Sequence, residues 1–111
     1  MRKSNPSFLN GVPELVILRL LANREMYGYE LVRAIQVQSK DVLNFGEGCV
    51  YPILHSLEEG KLVTSRRKDV EGRSRNYYCL TGRGRGRLET LTKEWQEVAG
   101  GVTLVLGGAN A

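Results

Sequence analysis

The chain has 111 residues, of which 41% are hydrophobic and 25% charged, and its formal net charge is +4. These values are ordinary for a folded protein and allow one domain with a small core, which association between copies would help to stabilise. The sequence contains no apolar run typical of a signal peptide or membrane helix and no CxxC pair, so we expect a cytoplasmic protein with two free thiols and no membrane partner.

Three helices are predicted in the first half of the chain. Residues 1–9 are expected to form a flexible arm, and Pro13 suits the first turn of a helix that ends near Asn23. A turn at residues 25–28 leads to a second helix, which fades by Gln38.

The third predicted helix begins at Gly48 and ends near Glu59. Val50, Leu54 and Leu57 recur at helical spacing and predict one buried stripe, with Ile53 as a further member. Gly60 is typical of a left-handed residue that ends a helix. The helix is therefore short, with a separate outward face.

A basic hairpin follows the third helix. Two strands are predicted at residues 62–67 and 75–80, separated by a turn at residues 68–73 that contains Gly72. The stretch 61–87 holds nine Lys and Arg against two acidic residues, which makes it +7 while the rest of the chain is −3. Charge concentrated in this way indicates a localised anionic partner.

A fourth helix is predicted at residues 81–106, with Thr81 as its N-cap. Its apolar positions are 3, 4, 3, 4 and 3 residues apart, the spacing of a seam between paired helices, and Gly100 and Gly101 interrupt it. Residues 107–111 are expected to be disordered. The predicted dimer interface consists of Leu88, Leu91, Trp95, Val98 and Val102.

The order helix, helix, helix, hairpin, long helix predicts an α+β, mainly α fold. We assign residues 10–80 to a winged helix-turn-helix DNA-binding domain and the last helix to dimerisation. The third helix would enter the major groove, and the wing and the free N–H groups at Gly48 and Cys49 would hold phosphates. The residues predicted to bind double-stranded DNA are Tyr29, Lys40, Gly48, Cys49, Tyr51, Pro52, His55, Arg66, Lys68, Arg73 and Arg75.

These motifs resemble the PadR-type transcriptional regulators. The resemblance lies in Tyr-Gly-Tyr-Glu-Leu at residues 27–31, in Gly-x-x-Tyr-Pro-x-Leu-x-x-Leu-Glu from Gly48, and in Tyr-Tyr-x-Leu-Thr from Tyr77. It covers about residues 8–100 and fits the short type with a single C-terminal helix that bears a Trp. It implies a homodimeric repressor on a palindromic operator, whose last helix swaps with or packs against the partner's first helix.

Three residues keep two interpretations each. Trp95 either stacks a planar aromatic effector or anchors the dimer. Cys49 stands where the family usually has Ser or Thr, and is either a redox switch whose pKa a helix N-terminus lowers or a small filler residue. His55 either contacts DNA or is simply exposed. A zinc site from Cys49, His55 and Cys79 fails on spacing, so no metal and no cofactor are expected.

Other functional classes have less support. One histidine, no paired carboxylates in a pocket context and no phosphate-cradling glycine loop give no basis for an enzyme. A winged helix that binds a protein partner remains the alternative, because fold alone does not decide function. The concentration of positive charge on the wing favours DNA over that alternative.

Overall fold

The computed structural model describes residues 11–107, which form an α+β, mainly α winged helix-turn-helix, as predicted. The elements in chain order are α1 (Val12–Asn23), β1 (Met26–Tyr27), α2 (Gly28–Gln38), α3 (Glu47–Glu59), β2 (Val63–Val70), β3 (Arg73–Leu80) and α4 (Gly82–Val105). The predicted arm at residues 1–9 and the tail after Gly107 lie outside the described residues.

The core lies where the first three helices meet the sheet. Ile17 of α1 and Leu31 of α2 are fully buried, and so are Val50 and Leu54 of α3. The buried stripe of α3 is therefore confirmed, with Leu57 as its third member. Because one side of α3 is fixed in the core, its other side is held outward.

The turn predicted at residues 25–28 is wrong in part, because Met26 and Tyr27 form the short strand β1. It pairs antiparallel with β3, Met26 opposite Tyr78 and Tyr27 opposite Tyr77, and gives the sheet order β1-β3-β2. Two residues carry no periodic pattern of their own, so this strand exists through its pairing and could not be predicted from local sequence.

The hairpin is longer than predicted. The strands extend to Val70 and Arg73, which pair with each other, so the turn contains only Glu71 and Gly72. Both have positive φ, 52° and 77°, as a two-residue hairpin turn of this twist requires. Lys68 and its neighbours, predicted as turn residues, therefore alternate between the two faces of a strand.

The end of α3 also differs from prediction. Gly60 has an ordinary φ of −80°, and Lys61 takes the left-handed conformation with φ 62°. The N–H of Leu62 then donates to the carbonyl of Leu57 at 2.9 Å, which satisfies an acceptor at the helix end.

The fourth helix begins as predicted, with Thr81 as N-cap. Its hydroxyl accepts a hydrogen bond from the N–H of Gly84 at 3.0 Å. The helix continues through Gly100 and Gly101 without a break, and Arg87 joins it to Glu14 of α1 through an ion pair of 3.0 Å. Among residues 11–107, no helix is both long and apolar enough to span a membrane.

Candidate nucleic-acid interface

The outward face of α3 carries Tyr51, Pro52 and His55. Pro52 and His55 are exposed, whereas Tyr51 is half-buried and packs against the start of α2. A Cβ atom added to Gly28 would come within 2.3–2.5 Å of three atoms of the Tyr51 ring. The ring of Tyr51 also lies 6.5 Å from that of His55, between centroids. A glycine at the start of α2 thus fixes how Tyr51 is presented.

The start of α3 differs in part from the predicted phosphate contact. Cys49 does not present a free N–H, because that group donates to the carbonyl of Gly46 at 3.0 Å. Burial raises the pKa of the Cys49 thiol, which favours the interpretation as a small filler residue over a redox switch. The exposed backbone of Gly48 is what this turn offers to a partner.

The wing has two chemically different faces. Ser65 faces α3, since its hydroxyl donates to a carboxylate oxygen of Glu58 at 2.7 Å. Side chains alternate along a strand, so Arg67 shares that face, and its guanidinium donates to the amide oxygen of Asn76 at 3.3 Å. Arg66 and Lys68 therefore belong to the reverse face, and so do Tyr77 and Arg75, the β3 residues paired with them.

A groove of about 530 Å³ separates the wing from α3 and the start of α2. The basic residues along it are Arg67, on the wing face towards α3, and Arg73 and Arg75, which lie where the edge of β3 is not paired with β1; no acidic residue lines it. The other lining residues are aromatic, polar or glycine: Tyr27, Gly28, Tyr29, Tyr51, His55, Ser74, Asn76 and Tyr78. Guanidinium groups and hydroxyls without a competing carboxylate suit a phosphate backbone.

On the reverse face, Glu25 binds two of the basic residues of the wing, Arg66 and Lys68. Arg66 donates to a Glu25 carboxylate oxygen at 3.2 Å, Lys68 forms a short ion pair with the other oxygen, and the Cys79 thiol lies 3.4 Å away. The bond from Lys68, with those from Cys79 and Arg66, lowers the pKa of Glu25 from 4.5 to about 2. Burial and the adjacent Glu25 carboxylate raise the pKa of Cys79.

Aromatic rings support this arrangement of cations. The ammonium of Lys68 lies 4.4 Å from the ring centroid of Tyr77, and the guanidinium of Arg75 lies 4.4 Å from that of Tyr27. The two rings meet edge to face at 5.3 Å between centroids. Arg66, Lys68 and Arg75 are thus held on the reverse face of the wing by Glu25 and by the rings of Tyr27 and Tyr77.

The structure brings together part of the predicted DNA-binding set. Of that set, Tyr29, Tyr51, His55, Arg73 and Arg75 line the groove, whereas Lys40, Gly48, Cys49, Pro52, Arg66 and Lys68 do not. Sequence reasoning missed Arg67, Ser74 and Asn76. Strand alternation counted from buried Val63 would have found Arg67, because residues two and four positions on share its face.

The predicted dimer positions divide along α4. Leu88 is buried and Leu91 half-buried within the chain, whereas Trp95, Val98 and Val102 are 48%, 60% and 52% exposed. In residues 11–107 no group of three or more His, Cys, Asp or Glu is placed to hold a metal ion.

The sequence and the fold have counterparts in known proteins. A family model described as the transcriptional regulator PadR-like family matches residues 17–90. The chain belongs to this family. PadR-like proteins are transcriptional regulators rather than enzymes.

Relatives of this PadR-family chain cover nearly its whole length. It is 33% identical over 101 residues to the transcriptional regulator Rv3488 of Mycobacterium tuberculosis, covering 91% of this chain and 89% of that protein. A PadR-like transcriptional regulator of Bacillus cereus has a solved structure with a TM-score of 0.80 and 32% identity, covering 93% and 99% of the two chains. A regulator of Clostridium thermocellum, at TM-score 0.81 and 24% identity, shares the fold.

Proposed function

We propose that this PadR-family regulator acts as a homodimeric repressor that binds a palindromic operator and blocks transcription from it. The observation that carries the proposal is the groove between the wing and α3, which is lined by Arg67, Arg73 and Arg75 and by no acidic residue. In this proposal α3 reads base edges in the major groove, and the arginines hold the adjacent phosphates.

Within the proposal, the roles of the residues divide by position. Tyr51 and His55 on α3, with Tyr29 on α2, face the groove and are proposed as DNA contacts. Gly48 and Pro52 are also exposed on α3, outside the groove, and are proposed to approach the DNA from that outer side of the helix. Cys49 contributes through the shape of the helix start, because its thiol is half-buried.

Homodimerisation is supported by the exposed apolar side chains of α4. A dimer presents two copies of α3 to half-sites about one helical turn apart, about 34 Å, whereas a monomer makes few contacts. Trp95 is about half exposed within one chain, which accommodates both a dimer anchor and a site for a planar aromatic effector. Quenching of its fluorescence by planar aromatic compounds distinguishes the effector role from the anchor alone.

The test of DNA binding is selection from a pool of random duplexes, followed by titration of the selected sequence against salt. We expect a palindrome with two half-sites, and binding that weakens steeply as salt rises. Arg73→Ala should weaken binding to every duplex and reduce the salt slope by about one. Arg85→Ala, an exposed charge change outside the groove, is the matched control and should leave the slope unchanged.

Two outcomes would reject the proposal. Selection that returns no palindrome, with binding insensitive to salt, would favour a winged helix that binds protein instead. An Arg73→Ala variant that changes base preference while keeping the slope would show that the wing does not hold phosphate.

A further inference from the structure

The base of the wing is part of the core, with Val63, Tyr77 and Tyr78 buried, whereas its outer half extends beyond β1. Strand β1 pairs only with Tyr77 and Tyr78, so residues 73–76 of β3 have a strand neighbour on one side alone, in β2. Two paired residues do not fix the angle of a hairpin whose two strands are each eight residues long. Side-chain contacts between body and wing therefore decide where the groove-lining arginines point.

Glu25 supplies such a contact, from the connection between α1 and α2. It lies next to β1, and its carboxylate reaches across to Arg66 and Lys68, at the middle of β2. The Glu25 side chain is 22% exposed and that of Lys68 is 33% exposed, so this ion pair is only partly screened by water, whereas Arg66 is 65% exposed and its pair is screened more fully.

The body side of this contact is itself held in place. Glu30 in the first turn of α2 accepts a hydrogen bond from the N–H of Tyr27 at 3.2 Å and pairs with Arg24 at 3.0 Å. These bonds fix the backbone on both sides of Glu25. A carboxylate on a fixed connection can orient the strand to which it binds, here β2.

We propose that Glu25 is a positioning residue for DNA recognition: it fixes the angle of the wing, and it keeps Arg66 and Lys68 away from DNA phosphates. This inference rests on the proposed function, because it specifies how that groove achieves sequence choice. Phosphate contacts carry no sequence information. Basic side chains that are free to bind phosphate therefore raise the affinity for every duplex, whatever its sequence. A carboxylate that occupies two of them limits this general affinity.

The experiment compares Glu25→Gln with Glu71→Gln, which makes the same charge change at the exposed tip of the wing. The first measurement is amide hydrogen exchange without DNA. For Glu25→Gln we expect faster exchange at residues 66–70 and 73–76, with α1, α2 and α3 unchanged. Glu71→Gln should leave exchange in the strands as it is in the wild type.

The second measurement is affinity for the selected operator and for random duplex over a range of salt. Glu25→Gln should lower the ratio of the two affinities by about tenfold, comparable to one mismatched base pair. Its salt slope on random duplex should steepen by about one to two, since Arg66 and Lys68 become free to bind phosphate. Glu25→Asp, which keeps the carboxylate, should restore the ratio in part.

The outcomes separate the two proposals. If the wild-type protein shows no salt-dependent DNA binding, the proposed function is rejected. Hydrogen exchange would still test whether Glu25 holds the wing in position. Unchanged exchange in the Glu25→Gln wing, or an unchanged affinity ratio with normal wild-type binding, would overturn the positioning role. An equal change in Glu71→Gln would assign the effect to net charge and would overturn it as well.

Discussion

At the scale of single residues, the contact between Gly28 and Tyr51 has the clearest consequence. Any side chain at Gly28 would overlap the ring of Tyr51, whose nearest atoms lie 2.3–2.5 Å from the position of an added Cβ. The overlapping atoms form the far end of a side chain, so the ring can move while the backbone stays. The glycine therefore sets the position of a residue that faces the groove.

Gly28→Ala should displace the Tyr51 ring, weaken operator binding and cost about 1–3 kcal/mol of stability through overpacking. Denaturant unfolding and operator affinity measure the two effects. In a Tyr51→Ala background the overlap is gone, and the same substitution should be neutral or stabilise by up to about 1 kcal/mol. An equal cost in both backgrounds would show that the tyrosine is not the obstacle.

Glu25 gives a prediction on pH. It is faced by Arg66 and Lys68 from β2 and by the thiol of Cys79 from β3, and its pKa in the folded protein is about 2, below its ordinary 4.5. A carboxyl group whose pKa is lowered by folding contributes stability that is complete above the unfolded pKa and is lost as pH falls towards the folded pKa.

The melting temperature of the wild type should therefore exceed that of Glu25→Gln by a constant amount above about pH 5, and the difference should shrink as pH falls from there towards 2. Melting followed by circular dichroism measures it, and the subtraction cancels the other carboxyl groups. A difference that does not change over this range would mean that the ion pairs contribute nothing to stability.

At the scale of elements, the helices could be predicted, whereas the contacts between distant segments could not. Apolar periodicity placed the buried stripe of α3, and Thr81 marked the start of α4, because both signals are local in sequence. The pairing of Glu25 with Arg66 spans 41 residues and leaves no local pattern. The sequence therefore could not show that Glu25 binds two of the wing cations.

Helix α4 packs closely against the base of the hairpin at Gly84. A Cβ atom there would lie 2.1 Å from the backbone oxygen of Leu62 and 2.6 Å from a methyl carbon of Leu80. The Leu62 carbonyl also accepts hydrogen bonds from the N–H and hydroxyl of Thr81, so it cannot easily move away. The absence of a side chain at Gly84 is thus what allows the helix to pack against the wing.

Gly84→Ala should cost about 2–3 kcal/mol, near the upper end for overpacking, in urea unfolding at fixed protein concentration. Gly86→Ala is the control two residues along the same helix, where an added Cβ meets nothing within 4 Å. It should stabilise by about 0.5–1 kcal/mol through helix propensity alone. Similar effects at the two glycines would contradict the close contact.

At the scale of the whole molecule, α4 extends the chain into an elongated shape of 54 × 36 × 20 Å. Beyond Leu91 the helix leaves the core, and its apolar residues Trp95, Val98 and Val102 are about half exposed. A row of apolar side chains at seam spacing is typical of a surface that another helix covers. In the proposed dimer, that covering helix comes from a second copy of the chain.

Val98→Asp tests this arrangement. A charge at the centre of the seam would be buried without a partner in the dimer, whereas in one chain Val98 is 60% exposed and a charge there remains in water. Sedimentation should therefore show a monomer, with the helical content of the chain largely kept. Operator affinity should fall steeply while binding to a single half-site changes little, because the loss is in the joining of two half-sites. Gln96→Asp introduces the same charge outside the 3–4 spacing and should leave the dimer intact; a dimer that persists in Val98→Asp would mean that α4 is not its interface.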